Sequence, residues 1–209
     1  DLQKAEEQAR EAQIEAAIER VRSKSMAMHK SDELADLSFE LVKQVQRLGV
    51  ATWFCAFNIY DDNENGSVEW GSNAEGTYEK YRTPREGIFL QYYEAGQRGE
   101  DFLVNEIGEN ECPAHYDYLS SLPGVGEQLL KMKDAGIPFP TSQIDHVAFF
   151  KYGYILFITF EPEPESHDVF KRFAKVFEQT YTRFLDLQKA EVQAAIAKKQ
   201  SQEIEKAYE

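Results

Sequence analysis

No glycine or proline occurs before Gly49 or after Pro164 in this chain of 209 residues. Both ends are written instead in Ala, Glu, Gln, Lys and Arg, so two long helices must bracket whatever lies between them. In the first, Leu2, Ala5, Ala9 and Ala12 form a weak seam of small residues. A stronger row follows at Ile14, Ile18, Val21, Ser25 and Met28, with steps of three and four throughout. The last helix is expected to begin near Ser166, after the turn Glu161-Pro162-Glu163-Pro164, and carries Phe170, Phe173, Phe177, Tyr181, Phe184 and Leu187 at the same steps. Its first half is apolar enough to pack on a domain, and beyond Leu187 it fades into Ala, Lys, Gln and Glu. The spacing divides the chain into a connector helix over 1–29, a globular unit over 30–185 and a second connector over 186–209. Such helices predict a parallel homodimer, with Ile14, Ile18 and Val21 as its seam.

Between the ends the periodicity changes. Ser31 as N-cap, with Asp32 and Glu33 in the first turn, opens a helix with Leu34, Leu37, Leu41, Val45 and Leu48 on one face, which stops at Gly49. Residues 51–60 are aromatic and β-branched on both faces, as in a central strand. Asp61 to Gly66 is a polar turn, and Ser67 to Ser72 reads as the hairpin partner. Thr83-Pro84-Arg85-Glu86 has the form of a capping box with Pro at N1, predicting a helix through Tyr92 and Tyr93 to about Gly96. Pro113 opens another helical stretch, broken at Leu122-Pro123-Gly124 and closed at Gly136. Asp145 to Phe150 and Tyr154 to Phe160 form a second hairpin about Lys151-Tyr152-Gly153. The expected fold class is therefore α+β: an antiparallel sheet with helices packed on it, flanked by long helices prone to coiled-coil pairing.

Charge narrows the function. With Lys+Arg 23 and Asp+Glu 37 the net charge is −14, the wrong sign for generic binding to nucleic acid or to an anionic membrane. The acids are concentrated in the middle: residues 60–119 hold 14 of them against Lys80, Arg82, Arg85 and Arg98. No apolar run approaches the ~20 residues of a membrane-spanning helix, and the first residues lack a signal-peptide profile, so a cytoplasmic location is expected.

The hexapeptide Asp1-Leu2-Gln3-Lys4-Ala5-Glu6 recurs residue for residue as Asp186-Leu187-Gln188-Lys189-Ala190-Glu191. The expectation is a repeated array in which the exit helix of one unit is the opening helix of the next.

Catalytic and metal-binding signals are weak. Cys55 and Cys112 have no CxxC or Cys/His zinc spacing, and His29, His115, His146 and His167 show no HxH or HExxH pattern, so no metal is expected. Cys112-Pro113-Ala114-His115 sets a thiol three residues before an imidazole at a helix N-terminus, the one candidate nucleophile pair. No phosphate-binding Gly motif is present, and the cluster Asp61-Asp62-Asn63-Glu64-Asn65 lacks a calcium loop's Gly and closing Glu. The positive signal is aromatic content, 13% of residues, with tyrosines concentrated between the hairpins. Tyrosine joins apolar area to a polar tip, the usual lining of a small-molecule pocket. Candidate lining residues are Trp53, Trp70, Tyr78, Tyr92, Tyr93 and His146. Strand alternation predicts that at most one of Trp53 and Phe54 points into such a pocket.

The string from Glu15 to Leu34, Glu-Ala-Ala-Ile-Glu-Arg-Val-Arg-Ser-Lys-Ser-Met-Ala-Met-His-Lys-Ser-Asp-Glu-Leu, resembles the connector leading into GAF-like sensory domains of multi-domain bacterial signal-transduction proteins of the sensor histidine kinase type. The resemblance implies an antiparallel sheet, a ligand pocket between sheet and helices, and dimerisation through the connectors. It also implies tandem units and a kinase or cyclase output domain in the parent chain. The Asn, Lys, Phe and Asp-Glu pattern of cyclic-nucleotide-binding members is not evident, nor is a bilin-attaching Cys-His pair, so the cofactor or ligand is unknown. The function expected is a non-enzymatic sensory and relay domain of a two-component type system. Two alternatives stand beside it: a GAF-fold enzyme using Cys55 or Cys112 as redox nucleophile, resembling the methionine-sulfoxide reductases of that fold, and a ligand-free dimerisation spacer.

Overall fold

The computed structural model describes residues 1–208. Its strands are β1 (Thr52–Asp61), β2 (Gly66–Asn73), β3 (Gly76–Thr77), β4 (Tyr81–Pro84), β5 (Phe102–Ile107), β6 (Gln143–Phe150) and β7 (Gly153–Thr159). They form one seven-stranded antiparallel sheet in the order β3-β2-β1-β7-β6-β5, with β4 also paired to β2. The helices are α1 (Leu2–Met26), α2 (Leu34–Arg47), α3 (Gly87–Gln97), α4 (Cys112–Ser121), α5 (Val125–Asp134) and α6 (His167–Ala207). Helices α1, α2 and α6 serve one face of the sheet, and α3 to α5 serve the other. This is the antiparallel α+β architecture with long terminal helices that the periodicity implies.

The helix face is the larger core. Phe57, Phe157, Phe170, Phe173 and Phe177 are fully buried there, with the Phe157 and Phe170 rings 4.2 Å apart and Phe57 and Phe177 4.4 Å apart. α2 lays Leu34, Leu37, Leu41 and Val45 against the same layer and ends at Gly49, whose φ of 88° is open to glycine without strain. The N–H of Gly49 donates to Gln46 O (2.9 Å) and that of Val50 to Val45 O (3.2 Å), so the last carbonyls of α2 are satisfied as the chain turns into the sheet.

The terminal helices depart from expectation. Ile14, Ile18 and Val21 are 8%, 3% and 0% exposed, buried in the chain's own core beside α2 and α6 rather than free for a partner chain. The reason is geometric. The pairs Glu11–Arg172, Arg22–Gln179 and Ser25–Thr180 rise together in both numbers, so α1 runs parallel to the first half of α6 within one chain. The row read as an intermolecular seam is an intramolecular one, and the packed unit takes in α1 from Ile14 onward. The apolar side chains left exposed on the terminal helices include Leu2, Leu187, Val192, Ile196 and Ile204.

Three strands were not evident in the periodicity: β3, β4 and β5. The Thr83-Pro84-Arg85-Glu86 capping box does not form. Thr83 lies in β4 opposite Ser67, its hydroxyl buried and accepting from Asn58 Nδ2 (3.2 Å), and the helix begins at Gly87. An edge strand tolerates Pro84 because no ladder N–H is required there.

Candidate functional site

Register decides what the second face of the sheet presents. Phe149, Tyr154, Asn58 and Glu69 lie in one row across β6, β7, β1 and β2, and Asp145, Ile158 and Phe54 in another. These side chains face α3 to α5. Between the sheet and those helices lies a cavity of about 80 Å³, lined among others by Trp53, Phe54, Glu69, Tyr78, Tyr81, Tyr92, Tyr116, Gln143, Asp145 and Tyr154.

Of the side chains nominated from the sequence, Trp53, Tyr78 and Tyr92 line this cavity and Trp70, Tyr93 and His146 do not. Trp70 alternates with Glu69 and Gly71, so it falls on the helix face in the α2/α6 core. His146 alternates with Asp145 in the same way and is fully buried against Phe170, with ring centroids 5.2 Å apart. Tyr93 follows Tyr92 on α3 and is rotated away from the cavity. The guanidinium of Arg85 lies 3.5 Å over its ring and is held by Asp62 Oδ1 (2.8 Å) and Gly66 O (3.0 Å).

Trp53 and Phe54 both line the cavity, against strict alternation. The β1–β7 register shifts between Thr52 and Phe54, a bulge at which the Thr52 hydroxyl lies 3.1 Å from Ile158 O and 3.2 Å from Phe54 O. A bulge re-aims one side chain, and here it places two neighbouring aromatics on one wall. Gly71 completes the arrangement, since a Cβ there would stand 2.2 Å from Phe54 Cζ.

Two buried carboxyl groups, neither singled out from the sequence, organise the polar part. Asp145 accepts from Tyr92 OH (2.6 Å) and Gln143 Nε2 (2.7 Å). Tyr92 OH in turn accepts from Asn105 Nδ2 (3.0 Å), and Tyr116 OH donates to Gln143 Oε1 (2.5 Å). Glu69 accepts from Asn58 Nδ2 (2.8 Å) and from Tyr81 OH. Burial pushes Asp145 up to about 6, against the pull of its two donors, and raises Glu69 in the same direction. His115 also lines the cavity and burial holds it down to about 4, so its imidazole is neutral near pH 7. In the sequence Asp145 shows only as the alternation Gln143, Asp145 at the start of a strand whose later residues, His146 apart, are apolar.

The thiol candidates are placed differently. Cys55 is buried on the helix face with its thiol pushed up to about 12, and Cys112 points its Sγ at Pro140 O (3.3 Å), with burial raising it too. A thiol raised by burial is the opposite of an activated one. Among the described residues no cluster of three His, Cys, Asp or Glu could hold a metal ion, and no helix is long and apolar enough to cross a membrane.

No family model matches the chain, and no curated protein matches it. Solved structures of similar shape include the GAF domain of A. aeolicus nlh2 in an inactive state, 12% identical over 86% of this chain and 99% of that one, with a TM-score of 0.48. Another is the GAF domain from an Acinetobacter phosphoenolpyruvate-protein phosphotransferase, 12% identical over 80% of this chain and 92% of that one, with a TM-score of 0.47. At this level of likeness neither neighbour says what this chain binds or does.

Proposed function

We propose that the chain is a non-enzymatic sensory and relay module: a small molecule enters the cavity between the sheet and α3 to α5, and its presence is passed through the sheet to α6. The observation that carries this reading is the cavity itself, walled by aromatic rings and crossed by the hydrogen-bonded chain Asn105, Tyr92, Asp145, Gln143, Tyr116. A polar network of that kind inside an apolar enclosure is costly unless satisfied, and it fixes orientation for a ligand. Transmission has a short physical route. Asp145 faces the cavity and its neighbour His146 faces α6, so a shift of β6 by a fraction of a side chain is felt on both faces. Beyond Leu187, α6 carries exposed apolar residues at Val192, Ile196 and Ile204, on which a second copy can pack as a parallel dimer leading to an output domain.

The two tryptophans give the test. In a Trp70→Phe chain, Trp53 is the only indole and it lines the cavity. Binding of a small molecule should change Trp53 emission and raise the melting temperature together. A metabolite collection in which no compound does either would leave the ligand-free spacer as the better reading.

A further inference from the structure

The charge lining the cavity has one sign. Glu69 and Asp145 are 3% and 2% exposed, and no Lys or Arg is among the lining residues described. The bases of β4 and of the segments beside it are engaged with surface acids: Lys80 with Asp32 (2.6 Å), Arg82 with Asp61 (2.9 Å) and Arg85 with Asp62 (2.8 Å). Aromatic faces surround the two carboxyl groups, and the negative face of an aromatic ring attracts a cation once water is excluded. Tyr154 adds a separate observation. It is 2% exposed and lines the cavity, yet its hydroxyl has no hydrogen-bond partner among the described residues, although the hydroxyls of Tyr78, Tyr81, Tyr92 and Tyr116 all have one. A cavity-lining hydroxyl that makes no hydrogen bond within the chain is free to meet a ligand.

We propose that the cavity is a site for a compact organic ammonium ion, held between Glu69 and Asp145, with the Tyr154 hydroxyl as a further acceptor and the rings of Trp53 and Tyr78 as its apolar wall. This rests on the reading of the cavity as a ligand site and names the class of ligand. Size limits the class: a cavity of about 80 Å³ takes small ammonium ions and not nucleotides or bilins. Charge limits it further. An anion would meet two carboxyl groups, whereas a cation supplies the counter-charge that these two buried, hydrogen-bonded acids lack. Burial already raises both acids, so an arriving cation also favours their ionised forms.

The test compares ligands of one shape and different charge on the otherwise unaltered Trp70→Phe chain at pH 7.5 and constant ionic strength, reading Trp53 emission and melting temperature. Methylammonium and tetramethylammonium should shift both. Neutral tert-butanol and anionic pivalate should bind at least roughly tenfold more weakly. Glu69→Gln and Asp145→Asn should each weaken the ammonium response by a similar factor, while Tyr154→Phe should affect methylammonium, which can donate, more than tetramethylammonium, which cannot. If tert-butanol or pivalate matches the ammonium ions, the ammonium proposal is overturned and the ligand site stands. If no ammonium ion shifts either signal, the proposal is overturned, and if the wider metabolite collection is silent as well, the ligand-site reading falls with it.

Discussion

The two faces of one sheet have been built to opposite rules. On the helix face the aromatic residues are mainly phenylalanine, stacked against α6 and closed to water. On the cavity face they are mainly tyrosine, and most of the phenols there hold or receive a hydrogen bond. The helix face keeps its polar groups in isolated pairs, such as Ser38 with Ser72 and Ser25 with Thr180, whereas the cavity face links them into a continuous chain. The first arrangement maximises packing and the second maintains an enclosed polar space. β6 belongs to both, since Asp145 and His146 are sequence neighbours that point to opposite layers. Burial raises the acid and lowers the base, so each is driven toward its neutral form. The Thr159 hydroxyl donates to Glu161 O (2.7 Å), which leaves it to accept from His146 Nε2 (2.9 Å) and leaves Nδ1 without a partner.

The sharpest way to break this contrast is to charge the packed face. Ile18→Glu places a carboxylate in the α1/α6 core and should cost roughly 3–5 kcal/mol, read as a large fall in the denaturant midpoint of the monomer. An unchanged midpoint would mean that α1 does not dock on its own chain.

The second test uses the opposed titrations on β6. Asp145 is raised from 3.8 to about 6, so the stability it contributes is complete below pH 4 and is lost as pH rises through 6. His146 is lowered from 6.5 to about 4, so its contribution is complete above pH 6.5 and is lost as pH falls through 4. Each amounts to roughly 3 kcal/mol, and over the shared window of about pH 4 to 6 they oppose one another. Relative to the unaltered chain, the stability of Asp145→Asn should therefore climb more steeply with pH, and that of His146→Gln should fall. Parallel pH profiles for both variants would refute the assignment of the two shifts.

The smallest effect is expected on the exposed arm. Ile196→Glu should change monomer stability by no more than about 0.5 kcal/mol, yet weaken any self-association seen by sedimentation equilibrium. If association survives Ile196→Glu unchanged, the arm is not the dimer seam.

Much of this contrast was legible in the sequence at the level of elements and little of it at the level of faces. The terminal helices, α2, β1, β2, β6 and β7 each carry a long periodic or apolar signal. β5 does not, because an edge strand bonded only to β6 leaves Leu103 and Val104 partly exposed and shows no clean alternation. β4 was hidden because Thr-Pro-Arg-Glu satisfies the local chemistry of a helix start, and only pairing with β2 shows otherwise. Trp53, Tyr78 and Tyr92 were found because aromatic residues announce themselves. Glu69 and Asp145 were not, since an acid in an acidic chain resembles solvated surface until the strand register shows that it is buried. Trp70 and His146 were misplaced by one residue of parity, and the bulge beside Thr52 is invisible to any rule of alternation. The helical row at Ile14, Ile18 and Val21 marks a packed face, but periodicity does not say whether the matching helix belongs to the same chain, and the expected dimer seam is instead buried in this chain's own core.

The parallel course of α1 and α6 has a mechanical consequence. A polypeptide that comes in along one and goes out along the other crosses the domain without reversing direction, so the domain sits on it like a bearing on an axle. From Leu187 to Ala207 the exit helix extends as a stiff arm of roughly 30 Å, at 1.5 Å per residue. Tilting it by about 5° where it leaves the sheet would swing its tip by roughly 3 Å over that length. A displacement too small to see at the cavity wall would thereby be magnified, by leverage alone, at the far end of the arm.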